Sequence, residues 1–269
     1  MNRSLILAVL VFVAGLAGRY CVRQLHENTF KAELSDALAA HVSKNDRAAQ
    51  QMLKTLLTKV ENWWPNSAHE VEARSWLGII YRVELKYDLA EPELRQAVAL
   101  SEQLGNRSTI PVGRAKLNLG IIARDENDFA EAEKLFSEAA QILTKYPHEA
   151  CGDDAAALLN LGYLADKQGR YQEAESYLLP AESAYENYYH GTPNRDYAKT
   201  HFQLAEVYRH MHRLDVSAEQ YQAALQMFGQ VEGPQSTDAR NAAIGLALVQ
   251  GRLSQHAPPP EPETLATGQ

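Results

Sequence analysis

Asn118, Asn160 and Gln203 are the residues best placed to do chemistry in this chain. They lie 42 and 43 positions apart, and each stands immediately before a leucine. A carboxamide carries two donors and an acceptor in one plane. A column of carboxamides can bond the N–H and C=O groups of an extended polypeptide. That chemistry is recognition, with no bond made or broken. The same amides could equally bond between neighbouring helices and serve stability alone. The residue types do not decide between these two roles.

Signals for bond-breaking chemistry are thin. There is no G-x-S-x-G, phosphate loop, paired-cysteine motif or His-Glu-x-x-His. His148, Cys151, Asp153 and Asp154 fall in one inter-helix stretch and are of types that suit zinc. No second Cys/His pair accompanies them, and helix capping explains both aspartates. His201, His210 and His212 are expected at a surface. The formal net charge of −8 argues against generic nucleic-acid binding, which needs a basic footprint. These features point to a non-enzyme with no cofactor, no metal, no nucleic acid and no small-molecule substrate.

The elements that must position the amides are read from a second periodicity. Gly78, Gly120, Gly162 and Ala205 each follow a leucine, at steps of 42, 42 and 43. Twelve, sixteen and nineteen residues beyond each lie a small, a large and a small residue. The sets are Ala90, Leu94, Ala97; Ala132, Phe136, Ala139; Ala174, Leu178, Ala181; and Ser217, Tyr221, Ala224. Small, large, small at i, i+4, i+7 is one stripe of a helix. The upstream Leu-small pair therefore sits on a first helix and the stripe on a second, antiparallel one. The unit is a helical hairpin, repeated.

The offsets resemble the tetratricopeptide repeat (TPR). They are carried by KLNLGIIARDENDFAEAEKLFSEAAQIL, LLNLGYLADKQGRYQEAESYLLPAE and HFQLAEVYRHMHRLDVSAEQYQAALQMF. The 42-residue step is similar to that of the kinesin-light-chain type. The resemblance implies an all-α, right-handed solenoid of about five hairpins; the carried register adds a C-terminal capping helix, and the apolar run near the start adds an N-terminal apolar helix before it. The resemblance also implies a protein or peptide partner, bound in part by asparagines at the place of Asn118 and Asn160. Gln203 and Trp76 depart from that pattern. Chaperone-binding TPRs hold a terminal carboxylate with Lys and Asn, but here those places carry Ser75, Leu117, Leu159 and Phe202, then Ile79, Ile121, Tyr163 and Glu206.

In such a stack the first helices line a concave groove. The helix period puts Trp76 and Ile79 on it, then Arg114, Asn118 and Ile121, then Asn160 and Tyr163, then Lys199 and Gln203. Arg124 and Arg209 stand at its edge, with Arg82 and Asp166. Leu117, Leu159 and Phe202 are expected near its centre, making an apolar-aromatic surface ringed by cations.

Carrying the step outward gives Asp36, with Ala48, Met52 and Thr55, as a degenerate first repeat over 25–65. It gives Ala247 as the small residue of a capping helix over 234–256, with the four clearer hairpins over 66–233 between them. Expected caps are Ser67 with Glu70, Asp88 with Glu91, Asp128 with Glu131, Thr192 before Pro193, and Asp153 with Asp154. Pro180 is expected to kink its helix. Trp63 and Trp64 should staple the first repeat to the second. Tyr185, Tyr188 and Tyr189 should pack on the loop that follows them.

The two ends differ in kind. Residues 1–24 form a signal or anchor segment, with an apolar run from Leu5 that reaches Val22 if Arg19 snorkels. Bulky Arg19 and Tyr20 after the small residues favour an uncleaved anchor. The repeat domain is then expected outside the cytoplasm, in the periplasm; export after cleavage and a cytoplasmic orientation stay open. Residues 257–269 are rich in Pro and Glu and read as a disordered tail. Two functions fit this outline: capture of a peptide in the groove, or an oligomerising assembly factor of a membrane complex.

Overall fold

The computed structural model describes residues 3–105, 109–147, 149–150 and 152–256, and for residues 3–19 the backbone alone. The tail over 257–269, His148 and Cys151 lie outside the described residues. Among the described residues there are eleven α-helices and no strand: α1 (Arg3–Val42), α2 (Asp46–Trp63), α3 (Ala68–Val83), α4 (Tyr87–Gln103), α5 (Ile110–Asp125), α6 (Phe129–Leu143), α7 (Asp153–Lys167), α8 (Tyr171–Tyr189), α9 (Arg195–His210), α10 (Leu214–Val231) and α11 (Thr237–His256). They fall into two compact units, residues 1–146 with α1–α6 and residues 147–269 with α7–α11.

The repeat register holds in the four clear hairpins. All twelve residues of the second-helix stripes are fully buried. The glycines opposite them permit close approach. A Cβ on Gly78 would lie 2.6 Å from Leu94, one on Gly120 2.7 Å from Phe136, and one on Gly162 2.5 Å from Leu178.

At both ends the fixed step misses. In the first hairpin Asp36, Met52 and Thr55 are exposed and Ala48 is only half-buried, while Ala37, Ala49, Leu53 and Leu56 form the buried set. The stripe is displaced by one residue. In α11 Ala247 is exposed and Gly245 is buried, with its missing Cβ occupied by the Tyr221 ring.

Turn geometry confirms the corrected register. Seven residues after Ala37, Gly78, Gly120, Gly162 and Ala205 stand Lys44, Leu85, Asn127, Gly169 and His212, all with positive φ. Each opens a Schellman closure, for example Lys86 N–H to the Tyr81 carbonyl at 2.9 Å and Arg170 N–H to that of Ala165 at 2.8 Å. Leu85 is the worst fit, a γ-branched residue at φ 58° with 74% of its surface exposed. Its side chain contributes little packing, and a left-handed backbone costs an L-residue about 1–2 kcal/mol. Leu85→Gly is therefore expected to raise stability by about 0.5–1 kcal/mol, after the glycine's larger unfolded-state entropy is set against the relief. Urea titration checks the sign.

Several local expectations change. Ser67 and Asp128 cap α3 and α6 as expected. Asp88 is not a cap: α4 begins at Tyr87, so Asp88 lies in its first turn. The cap of α9 is Asn194, accepting from the Asp196 N–H, instead of Thr192. Gly152, at φ 85°, leads into α7, leaving Asp153 and Asp154 in the first turn. Helix α8 runs from Tyr171 to Tyr189 with Pro180 inside it.

The aromatic staple of the first unit is built from both tryptophans. Trp63 stacks on His26 of α1 at 4.2 Å, and Trp64 stacks on His69 of α3 at 4.3 Å. The His69 ring also bonds Glu27 of α1 at 3.0 Å. In the second unit Tyr185 is core, packed towards Gly152 ahead of α7 and Tyr197 of α9. His201 is likewise buried, bonding Gln220 of α10 at 2.6 Å with Glu182 of α8 at 3.1 Å, instead of lying at the surface.

Helix α1 runs without a break from Arg3 past the expected boundary at residue 24, so no separate apolar helix precedes the first hairpin. The expected apolar run falls mostly on residues whose side chains lie outside the description. Among the described residues no helix is long and apolar enough to cross a membrane.

Candidate functional site

In the first unit the candidate residues lie on α3 and α5. Trp76 is half-buried, and the Arg114 guanidinium sits 5.0 Å from its ring centroid. This is a cation–π contact. Glu72 lies beside them. Its burial raises the carboxyl above the usual range, against the pull of His69 and Arg114. Ile121 is half-buried, whereas Ile79 is only 7% exposed and belongs to the core.

Asn118 is the chemically distinctive member. It is 5% exposed, and its Nδ2 donates to the Arg114 carbonyl one turn back at 2.8 Å. Its Oδ1 is buried with no hydrogen-bond partner. A buried acceptor without a donor costs about 1–3 kcal/mol. The amide is thus half satisfied by its own helix and half open.

Arg124, at the expected edge, bonds Asp125 through Nε at 3.0 Å and Nη2 at 2.8 Å. Asp125 also accepts from the Tyr87 hydroxyl at 2.7 Å, a bond that raises the phenol's pKa. Leu117 is core and lines no surface. Ser75 is also buried, donating from Oγ to the Pro111 carbonyl at 3.0 Å. Helical period gives Leu117 a direction and not a depth, so the residue expected at the groove centre is core instead.

In the second unit the candidates lie on α7 and α9. Asn160 makes the same intrahelical bond as Asn118, donating from Nδ2 to the Ala156 carbonyl at 2.8 Å. Tyr163 is half-buried with the Lys167 ammonium 5.4 Å from its ring. Lys199 pairs with Asp196 at 2.9 Å, and Gln203 is half-buried. Leu159 is buried, while Phe202 keeps a partly exposed edge on Tyr221.

Arg209 belongs to a network that spacing alone did not reveal. It bonds Glu206 through Nη2 at 2.5 Å and approaches the His210 ring at 2.9 Å. His210 bonds Asp166 at 2.8 Å and stacks on Tyr171 at 5.0 Å. Glu206 also accepts from the Tyr221 hydroxyl. Burial alone would raise the Glu206 carboxyl, but the bonds from Arg209 and Tyr221 outweigh it and hold it low. Burial and that carboxylate together push the Tyr221 phenol far up. The expected edge residues Asp166 and Arg209 are thus joined through His210.

Another missed group is Arg74, buried among Glu70, Glu61 and Glu93. The i,i+4 pair Glu70–Arg74 was a readable signal. Among the described residues no cluster of His, Cys, Asp and Glu could hold a metal ion.

These surfaces offer buried amides, aromatic edges and paired cations. Amides, aromatic edges and cations are groups that can bond a polypeptide. No curated protein matches the chain in sequence. Among solved structures, a putative kinesin light chain with TPR-like repeats from P. anserina superposes with a TM-score of 0.54 at 14% identity, covering 77% of this chain and 97% of that one. PilF of Pseudomonas aeruginosa gives 0.56 at 18% identity, covering 86% and 95%. A Rap protein in complex with Competence and Sporulation Factor gives 0.55 at 14% identity, covering 85% and 65%. At these identities the likeness speaks for fold. The pattern of the Tetratricopeptide repeat family matches residues 70–145, 111–187 and 196–258, more than half of the chain. With the hairpin register already in hand, this chain belongs to the tetratricopeptide repeat family.

Proposed function

We propose that the protein is a non-catalytic interaction scaffold whose first helices take up an extended segment of a partner polypeptide. The observation that carries this reading is the half-buried Trp76–Arg114 pair on α3 and α5, next to Asn118, whose buried Oδ1 has no partner. A bound segment would lie against the aromatic face of Trp76 and the Arg114 cation, and the Asn118 amide, turned outward, would accept one of its backbone N–H groups. The Rap relative crystallised with a factor bound offers a precedent on this fold. The apolar run from Leu5 supports a position at the cell envelope, with the repeats outside the cytoplasm.

Phage-displayed peptides selected on the full chain test the scaffold reading. Asn118→Ala is expected to weaken the selected peptides by about 5- to 150-fold, the factor that one unpaired buried group represents. Its thermal melt should stay close to that of the parent or rise, because the lost intrahelical side-chain bond is set against relief of the buried, unpaired Oδ1. Binding that survives both Asn118→Ala and Asn160→Ala would overturn the reading. Mass spectrometry of the mature N-terminus separates an anchor from a cleaved signal.

A further inference from the structure

Helix α11 has the inner face of a first helix and an uncovered outer face. On α5 and α7 the glycine of the register is filled by the helix's own partner, Phe136 of α6 and Leu178 of α8. On α11 the filled glycine, Gly245, faces back to Tyr221 of α10. Its buried stripe is Ala239, Ala242, Gly245 and Val249. The opposite side is uncovered. Ile244 is 60% and Leu248 59% exposed, with Ala247 and Gly251 beside them. No described helix follows to cover it. The sequence beyond has prolines at 258, 259, 260 and 262, each lacking the N–H that a helix needs.

The charge on this face is distinctive. From Ala239 to His256 the chain carries no acidic residue, against a formal net charge of −8 for the whole. Arg240 and Arg252 are both exposed and lie twelve residues apart, about 18 Å along the helix. The acidic residue of the first turn, Asp238, is already held by Arg195 of α9 at 2.8 Å. Next to the stripe, a cleft of about 330 Å³ opens between α9 and α11, reached by Phe202, Arg209, Asn241 and Ile244. The Glu206 carboxylate in that cleft is taken up by Arg209 and Tyr221. Apolar centre, basic flanks and small residues for close approach describe half of a helix pair.

We propose that the outer face of α11 docks an amphipathic helix of another protein, one whose apolar stripe is flanked by acidic residues. The partner helix lies where a second helix of a sixth hairpin would lie. Ile244 and Leu248 enter its apolar stripe, and Arg240 and Arg252 meet its carboxylates. A second copy of this chain is the poorer occupant, since its own α11 would bring arginines instead of carboxylates. This surface is separate from the Asn118 face and does not depend on it.

The test uses the full chain and two labelled helical peptides with the same leucine stripe, one flanked by glutamates and one by lysines. By fluorescence anisotropy the glutamate peptide is expected to bind saturably and at least about tenfold more tightly. Ile244→Glu with Leu248→Glu should abolish that binding, and Arg240→Glu with Arg252→Glu should weaken it by about tenfold or more. Asn118→Ala should leave it unchanged. All four substituted α11 side chains are exposed, so circular dichroism should report an intact fold. Equal binding of both peptides, or binding indifferent to the Ile244/Leu248 pair, overturns the proposal. So does a peptide-free dimer in sedimentation that the same pair dissolves, because that result makes the occupant a second copy.

Discussion

Arg74→Ala lowers the stability of the first unit by about 3–5 kcal/mol, the range for removing one partner of a buried ion pair. The Arg74 side chain is 9% exposed and its guanidinium bonds Glu61 at 2.6 Å, Glu93 at 2.8 Å and Glu70 at 2.9 Å. Burial pulls its pKa down, but the carboxylates around it win and raise it, so the charge persists. Glu61 is nearly half exposed and regains water when the arginine is lost. Glu70 cannot, since its side chain is only 7% exposed. What Glu70 keeps is the Asn66 N–H of the capping turn, on Oε2 at 2.9 Å. The loss therefore comes mainly from the stranded Glu70 and only weakly from the exposed pairs, which solvent screens. Arg74→Met with Glu70→Gln should recover most of it, because no buried charge is left. All three tryptophans, Trp63, Trp64 and Trp76, lie in this unit, so urea unfolding followed by tryptophan emission reads it selectively. A shift below about 1 kcal/mol would mean that Glu70 finds water or a proton cheaply.

Why was so much of the hairpin pattern readable, and so little of the site? The stripes were legible because they answer to packing within one hairpin. Ala132, Phe136 and Ala139 must meet Gly120, and no other spacing puts them there. Register failed at Asp36 and Ala247, where a fixed step was carried across connections of different length. The turn signal that corrects the first of these was present but weak. A left-handed residue seven positions after the small one is easily guessed at Gly169 or Asn127, yet not at Leu85 or Lys44. For the site, helical period put Trp76 and Arg114 each on the expected groove face, but it did not show the contact between them. It could not show that Ile79 and Leu117 are core, since depth depends on the neighbouring helix. Nor could it show the link from Asp166 through His210 to Arg209, which joins residues over 40 positions apart.

Gly162→Val is expected to destabilise the second unit by about 3 kcal/mol or more, at the upper end for overpacking a tight interface. Even a single Cβ there would lie 2.5 Å from Leu178 Cγ, 2.6 Å from its Cδ2 and 3.3 Å from the Ala174 carbonyl. Leu178 is fully buried, so it has no free volume to turn into. The carbonyl belongs to the backbone of α8 and moves only with the helix. Alanine in a helix is favoured over glycine by about 1 kcal/mol, which offsets part of the clash for Gly162→Ala and little of it for the β-branched valine. The hairpin of α9 and α10 shows what accommodation requires. There Ala205 occupies the same place, and Ser217 Oγ donates to its carbonyl at 2.7 Å, a different contact across the same helix pair. The origin of the loss is separable by a double-mutant cycle. Leu178→Ala alone should cost about 2–5 kcal/mol through the cavity it leaves. In the Gly162→Val background the same truncation should cost much less, since the valine methyls fill that space. Near-UV circular dichroism of tyrosine follows this unit, which contains no tryptophan. Additive losses would show that valine at 162 strains the α8 backbone at Ala174 instead, and that the glycine is required by the carbonyl and not by the leucine.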